Sequence, residues 1–256
     1  MPHDPADTAA ALRVLLSRHS LGGKHLREPG PGDDDLRTLV QAALRAPDHA
    51  ELVPFRFAVV RGAARERLAA LFEAAARDAG KSDADARLDA ERGARAPVTV
   101  AVIARIDAGH PKVPAHEQWA AVGGAIANLL NAAHALGWAG KMLSGAKVRQ
   151  PRIVRAFCDP GETLVGWISL GTPTREPAGP ARKPPVEQVM ADWPADEETA
   201  DAPSGGGGSG DGGDRTEHPG SPGSPGSPGS PDNSGNPGSS DSLGGMGNAG
   251  GMASAG

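Results

Sequence analysis

The first 193 residues predict a single α+β domain, and the remainder predicts a tail that builds no core. Three observations carry this reading. Two helical patterns open the chain with no strand between them. No later strand runs into a Gly-rich phosphate turn, which argues against a Rossmann arrangement. A long stretch from Trp119 to Gly137 is apolar almost all round, and such a helix needs cover on every side.

The elements follow in order. Asp7 or Thr8 can cap a first helix whose Leu12, Leu15 and Leu16 share a face, ending near "SRHS" where "LGG" breaks it. Asp33 to Asp35 place acids at the start of a second helix with the stripe Leu36, Leu39, Val40, Ala43 and Leu44. Pro47 is expected to stop it, because the residue before proline avoids helical geometry. "RFAVVRG" reads as a strand and "ARERLAALFEAAARDAG" as a helix, with Leu68, Leu71, Phe72 and Ala75 at helical spacing and Gly80 at its C-cap. "SDADARLDAERGARA" is polar enough for a solvated helix or a loop. "PVTVAVIA" is β-branched and uninterrupted, the pattern of a strand buried on both faces. After the long central helix come "WAGKML" as a short strand or turn, a helix opened by Pro151 with Ile153, Val154 and Phe157 inward, and the strand "TLVGWISLG". The bare flank of the central helix is most simply covered by a second copy of the chain.

From about Pro194 the composition collapses into Gly, Ser, Pro and Asp, and "GSPGSPGSPGSP" repeats with period three from Gly220 to Pro231. Such a segment buries too little apolar surface to offset its chain entropy, so 194–256 is expected to be a disordered acidic tail. Nine acids and one base give it a net charge of −8, which leaves +3 on residues 1–193. A mildly basic domain with no Lys/Arg run suits a small phosphorylated ligand better than a nucleic acid. One cysteine, Cys158, excludes an intrachain disulfide framework. The N-terminus lacks a signal peptide pattern and the apolar run contains Asn128, Asn131 and His134, so no membrane association is expected and the cytoplasm is the default location.

Taken alone, the chemistry-bearing pieces are ambiguous. "SRHS" (Ser17 to Ser20) offers a guanidinium, an imidazole and two hydroxyls, or simply cations at a helix C-terminus. "RAPDH" (Arg45 to His49) is equally a helix end and a turn. Asn128, Asn131 and His134 share a helix face and read as paired core residues before they read as ligands. His110, His116 and Glu117 make a poor metal site without helical spacing. No Gly-x-Ser-x-Gly, Walker or His-Glu-x-x-His motif is present, and there is no tyrosine.

In combination, "LLSRHS", "RAPDHAELVPFRFAVVRG", "KVPAHEQ", "WAGKMLSGA" and "VGWISLGTP" resemble the nitroreductase family, in its compact branch, over about Thr8 to Trp193. The resemblance implies a mostly antiparallel sheet flanked by helices and an FMN-dependent homodimer, with the central helix at the interface and FMN shared between subunits. It places Arg18, His19 and Ser20 at the flavin phosphate and ring edge, and Arg45 and His49 at the partner subunit's flavin. Met142, Leu143 and Ser144 would lie along the cofactor. Ala132, Ala133, His134, Ala135, Leu136 and Gly137 correspond to the stretch associated with the nicotinamide nucleotide, and Arg182 or Lys183 to a basic C-terminal phosphate contact. This chain departs from the family pattern at His19, where Arg is common, and at Met142 and Leu143, where Trp-Arg is common; Gly22 and Gly23 lengthen the first loop. The implied activity is ping-pong: NAD(P)H gives hydride to flavin N5, and a nitroaromatic, quinone or related acceptor then takes it, with no side chain acting as acid, base or nucleophile. A flavin-binding module with little turnover is the alternative.

Overall fold

The computed structural model describes residues 4–176 and 183–193. The tail 194–256 and Arg182 lie outside the described residues. Among the described residues six α-helices, α1 (Pro5–Ser17), α2 (Asp33–Ala43), α3 (Ala64–Asp78), α4 (Asp83–Ala94), α5 (Ala115–Ala135) and α6 (Pro151–Phe157), surround five strands. The strands are β1 (Leu26–Arg27), β2 (Phe55–Arg61), β3 (Val98–Ala104), β4 (Ala139–Leu143) and β5 (Thr163–Pro173). They run in the order β1-β5-β3-β2 with β4 also paired to β5, and every ladder is antiparallel.

The pleat of β3 explains its unbroken apolar run. Val98, Val100 and Val102 join Leu39 of α2 and Val122, Ala125 and Leu129 of α5 in the main core. Ala101 and Ile103 point the other way, onto Leu68 and Phe72 of α3 and Ile153 of α6. Alternate side chains therefore feed two separate cores, one on each face of the sheet. Trp167 of β5 completes the second core, edge-on to Phe72 at 5.1 Å.

Local chemistry sets the ends of the elements. Asp4, not Asp7 or Thr8, caps α1 by accepting from the N–H of Ala6 at 2.8 Å. Gly80 at φ 74° lets Lys81 N–H reach the carbonyl of Ala76 and close α3. The helix α2 ends at Ala43, one turn before the proline expected to stop it. There Arg45 and Ala46 tighten onto the carbonyls of Ala42 and Ala43, which turns Ala46 inward. One reading needs correction, and an open one closes. A two-residue strand, β1, does separate the first two helices; it is too short to leave a periodic signal, and its pairing with Thr172 and Pro173 of β5 is what defines it. Of the two alternatives for the polar segment after Gly80, the helix is the one that forms, as α4, capped by Ser82 on Asp85 N–H, though it is not solvated throughout. Its Asp89 is buried against Lys81 and Lys147 at 2.8 Å each and Arg92 at 3.4 Å.

Part of the apolar surface stays uncovered. No residue of α1 is buried, and Leu16 is 82% exposed with Leu12 and Leu15 beside it. On α5, Trp119, Gly123 and Ala127 form an exposed line along the same side chain spacing. Among the described residues no helix is long and apolar enough to cross a membrane.

Candidate functional site

The loop leaving α1 is drawn onto β4. Arg18 is extended, Ser20 forms a parallel bridge with Gly140, and Leu21 N–H donates to the Gly140 carbonyl at 3.1 Å. Gly140 is required there: a Cβ would meet the Ser169 carbonyl and the Leu170 side chain at 2.7 Å each. "SRHS" and "WAGKML", some 120 positions apart in sequence, are thus joined by the backbone. Side chains tighten the junction. Arg18 Nε donates to Asn131 Oδ1 at 3.1 Å, and Ser17 Oγ lies 2.9 Å from His134 Nε2. Asn131 and His134 are therefore paired, as expected, but with the end of α1 and not within the core.

Beside this junction β5 ends. Its Pro173 pairs with Leu26, and Thr174 N–H donates to the His25 carbonyl. The result is a cleft of about 440 Å³ with His19, His134, Trp138, Thr174, Arg175 and Glu176 among its walls. That volume is in the range of small-ligand sites. Burial, and then the charges of Arg18 and His19, hold the His134 imidazole below the usual histidine value. Arg175 in the wall and Arg18 beside it outnumber the single acid, Glu176, so the cleft suits an anion. A slightly larger cavity, about 470 Å³, opens between α2 and β2; of the quoted motifs only Val59 and Arg61, at the end of β2, reach it, and Arg61 already pairs with Asp33.

Sequence reasoning missed Arg175 and Thr174, although "LGTP" immediately precedes them. The pairing of β1 with the end of β5 is what swings them back to the first loop, and β1 was not legible. Lys183 is exposed.

The remaining candidates divide. His134 and Gly137 line the cleft, whereas Ala133 is buried in the main core and Ala132 packs against it. Ala135 and Leu136 are exposed at the helix end, where Gly137 at φ 84° lets Trp138 N–H return to the Ala133 carbonyl. Met142 packs on the main core, Leu143 is partly exposed, and Ser144 Oγ donates to the Val165 carbonyl at 2.9 Å.

"RAPDH" forms a second corner, at the other end of α5. Ala46 sits against Gly124, where an added Cβ would come within 3.1 Å of it. His49 Nδ1 lies 2.7 Å from Glu117 Oε2, and Arg45 is exposed. Asp48 Oδ2 accepts from Val53 N–H at 2.6 Å across a corner in which Ala50, Glu51 and Val53 all have positive φ. A β-branched residue at φ 46° is costly, so the surrounding contacts hold this corner in a strained shape. Glu117 and Asn131 stand fourteen residues apart on α5, about 21 Å along the helix. One chain therefore does not bring Arg45 and His49 to the cleft.

The histidines near the start of α5 do not assemble a metal site. His110 Nδ1 accepts from Val113 N–H at 2.9 Å and Glu117 is engaged by His49. Among the described residues no group of three or more metal-ligating side chains converges.

Comparison with known proteins agrees with this geometry. The model of the nitroreductase family matches residues 15–172. The Escherichia coli (strain K12) protein named "Putative NAD(P)H nitroreductase YdjA" is 38% identical over 166 residues, which are 64% of this chain and 88% of that one. Among solved structures, the nitroreductase-like family protein from Bacillus cereus superposes with a TM-score of 0.62 at 19% identity, over 75% of this chain and 98% of that one. The FMN-dependent nitroreductase NfnB from Mycobacterium smegmatis, in complex with NADPH, gives 0.55 at 17% identity, over 73% and 99%. With an antiparallel sheet between two helical layers, and the first-helix loop joined to the strand after the central helix, this chain belongs to the nitroreductase family.

Proposed function

We propose that this protein is an FMN-dependent NAD(P)H oxidoreductase, active as a homodimer, and that residues 1–193 carry the whole activity. The observation that carries this reading is the cleft where the α1 loop, the end of α5, β4 and the segment after β5 meet, with two guanidinium groups and two imidazoles at or beside it. That donor set fits a phosphate dianion: Arg18 and Arg175 supply planar forks, and Thr174 adds a hydroxyl. FMN, when bound, supplies the hydride relay between NAD(P)H and a small electron acceptor such as a nitroaromatic or a quinone.

The chain's own residues position and polarise. Arg18, His19 and Ser20 hold the phosphate side, and β4, through Met142, Leu143 and Ser144, forms the wall along the ring. Gly137 and the end of α5 border the space left for the nicotinamide nucleotide. Arg45 and His49 stand about 21 Å away along α5, and so serve the flavin of the other subunit. The bare leucines of α1 and the exposed line on α5 support that assembly, since each is apolar surface that a partner subunit would cover. A donor at the pyrimidine edge favours the negative charge gained on reduction, which is the role assigned to the Arg45–His49 corner. Leu143, in place of a cation, removes one contact to nucleotide phosphate and leaves the main chain to bind.

The test is an absorption spectrum of the full chain incubated with FMN, before and after NADH or NADPH without oxygen. A bound flavin band that bleaches on reduction is the expected result. Protein that takes up no FMN refutes the proposal; flavin that stays oxidised restricts the protein to binding without turnover.

A further inference from the structure

The cleft collects side chains whose charge depends on pH. His19 comes from the loop after α1 and His134 from the last turn of α5, and both line the same walls. The charged groups around them are Arg18 on the α1 loop, Arg175 and Glu176 after β5, and Lys24 and His25 on the turn before β1; Asp35 of α2 sits behind Trp138, bonded to its Nε1 at 3.1 Å. Cations prevail in this set, and a bound anion would meet them at the cleft. His134 is held low by burial and by Arg18 and His19.

A phosphate monoester reverses that balance. It brings a charge of roughly −1.5 to −2 near pH 7 and three acceptor oxygens. A protonated imidazole donates from both nitrogens, so His134 can keep Ser17 on Nε2 while its other nitrogen donates elsewhere. Resting on the FMN reading above, we propose that His19 and His134 recognise the ligand's phosphate by taking up protons as it binds, which makes phosphate recognition strongest on the acid side of neutrality. Fixed cations at both positions would hold phosphate equally across this range. Two titratable ones make the protein release it as pH rises. The sign follows from the direction of the His134 shift: a group with little charge at neutral pH when empty gains it in the complex, so affinity falls with rising pH. Below about pH 6 the phosphate itself becomes protonated and the trend flattens.

The experiment is titration calorimetry of the full chain with FMN and with riboflavin, which lacks the phosphate. It is run at about pH 6.3, 7 and 8 in buffers of different ionisation enthalpy, so that proton uptake is counted directly. The expected result is FMN affinity falling roughly tenfold for each imidazole that takes up a proton, with riboflavin affinity flat. The His19→Arg variant keeps a cation and should lose its share of both the uptake and the slope; His134→Gln should remove the rest. FMN binding with constant affinity and no proton uptake overturns the inference while leaving the flavin reading intact. If neither flavin binds at any pH, the reading of function and this inference fall together. Wild-type proton uptake decides the matter even if a variant does not fold.

Discussion

Replacing Glu162 with glutamine isolates one ion pair whose contribution the structure allows to be worked out. Arg56, the second residue of β2, donates from Nε to Glu162 Oε1 at 2.7 Å, and its Nη2 bonds both Glu162 Oε2 and the carbonyl of Phe157. The Arg56 hydrogen bonds hold the Glu162 carboxyl at about 2, against burial that opposes them and with further help from the Asp159 N–H and Arg105. Moving a carboxyl from 4.5 to about 2 corresponds to about 3 kcal/mol in favour of the charged, folded form. Solvent reaches the Arg56 side chain, which is 29% exposed, and screening reduces the figure to about 2 kcal/mol.

The pH dependence gives the test its edge. A depressed carboxyl contributes stability that is complete above the unfolded value of 4.5 and disappears as pH falls through about 2. Urea unfolding of the wild type and Glu162→Gln should therefore differ by about 2 kcal/mol at neutral pH, equivalent to about 4–8 °C in Tm for a domain of this size. The difference should narrow below pH 4.5 and close near pH 2; other carboxylates titrate in both proteins and cancel. An undiminished gap in strong acid would show that the substitution acts through packing, and no gap at neutral pH would show that the pair contributes nothing.

Two further outcomes bear on the site. Gly166→Ala would drive a Cβ to within 2.2 Å of the Leu143 carbonyl and 2.7 Å of Met142 Cε; it should cost about 1–3 kcal/mol in urea unfolding and weaken FMN binding by displacing the end of β4. Unchanged stability and affinity would mean that β4 tolerates movement there. Val53→Asn, at φ 46°, exchanges a β-branched residue for one that accepts left-handed geometry; a gain of about 1 kcal/mol is expected, read as a raised Tm, and a loss would show that the corner is not strained.

The sequence made the layers legible because periodicity reports which faces are buried. Leu36, Leu39 and Ala43 are buried as their stripe requires, and the run Val98–Ala104 stands where its pattern placed it; Leu44, from the same stripe, is exposed, and the central helix read from Trp119 to Gly137 runs from Ala115 to Ala135. What escaped were features fixed by partners distant in the chain. Two residues of β1 have no period, yet they turn Arg175 into the cleft. Asp89 sits in a segment that reads as solvated, and only folding shows its carboxylate enclosed between α4 and the segment after β4, held by Lys81, Arg92 and Lys147. The strain at Ala50, Glu51 and Val53 was equally invisible: the prolines at 47 and 54 announce a stiff corner, but not a backbone forced to positive φ.

The geometry of α5 links these pieces to function. This helix presents polar groups at both ends, Glu117 holding His49 at one and Asn131 with His134 holding the α1 loop at the other. Between them its outward line is small or apolar, with Gly123 and Ala127 where larger side chains would keep another helix at a distance. If two such helices cross antiparallel about a twofold axis through that line, the His49 corner of one chain arrives beside the cleft at the α1 loop of the other. The same operation covers the line that α5 leaves bare. Site completion and burial of the apolar strip are then consequences of one contact, so a substitution that blocks it, such as Gly123→Arg, should abolish dimerisation and FMN retention together. Gel filtration and the flavin band of the same sample report both; a monomer that still holds FMN tightly would separate them and refute the shared-site argument.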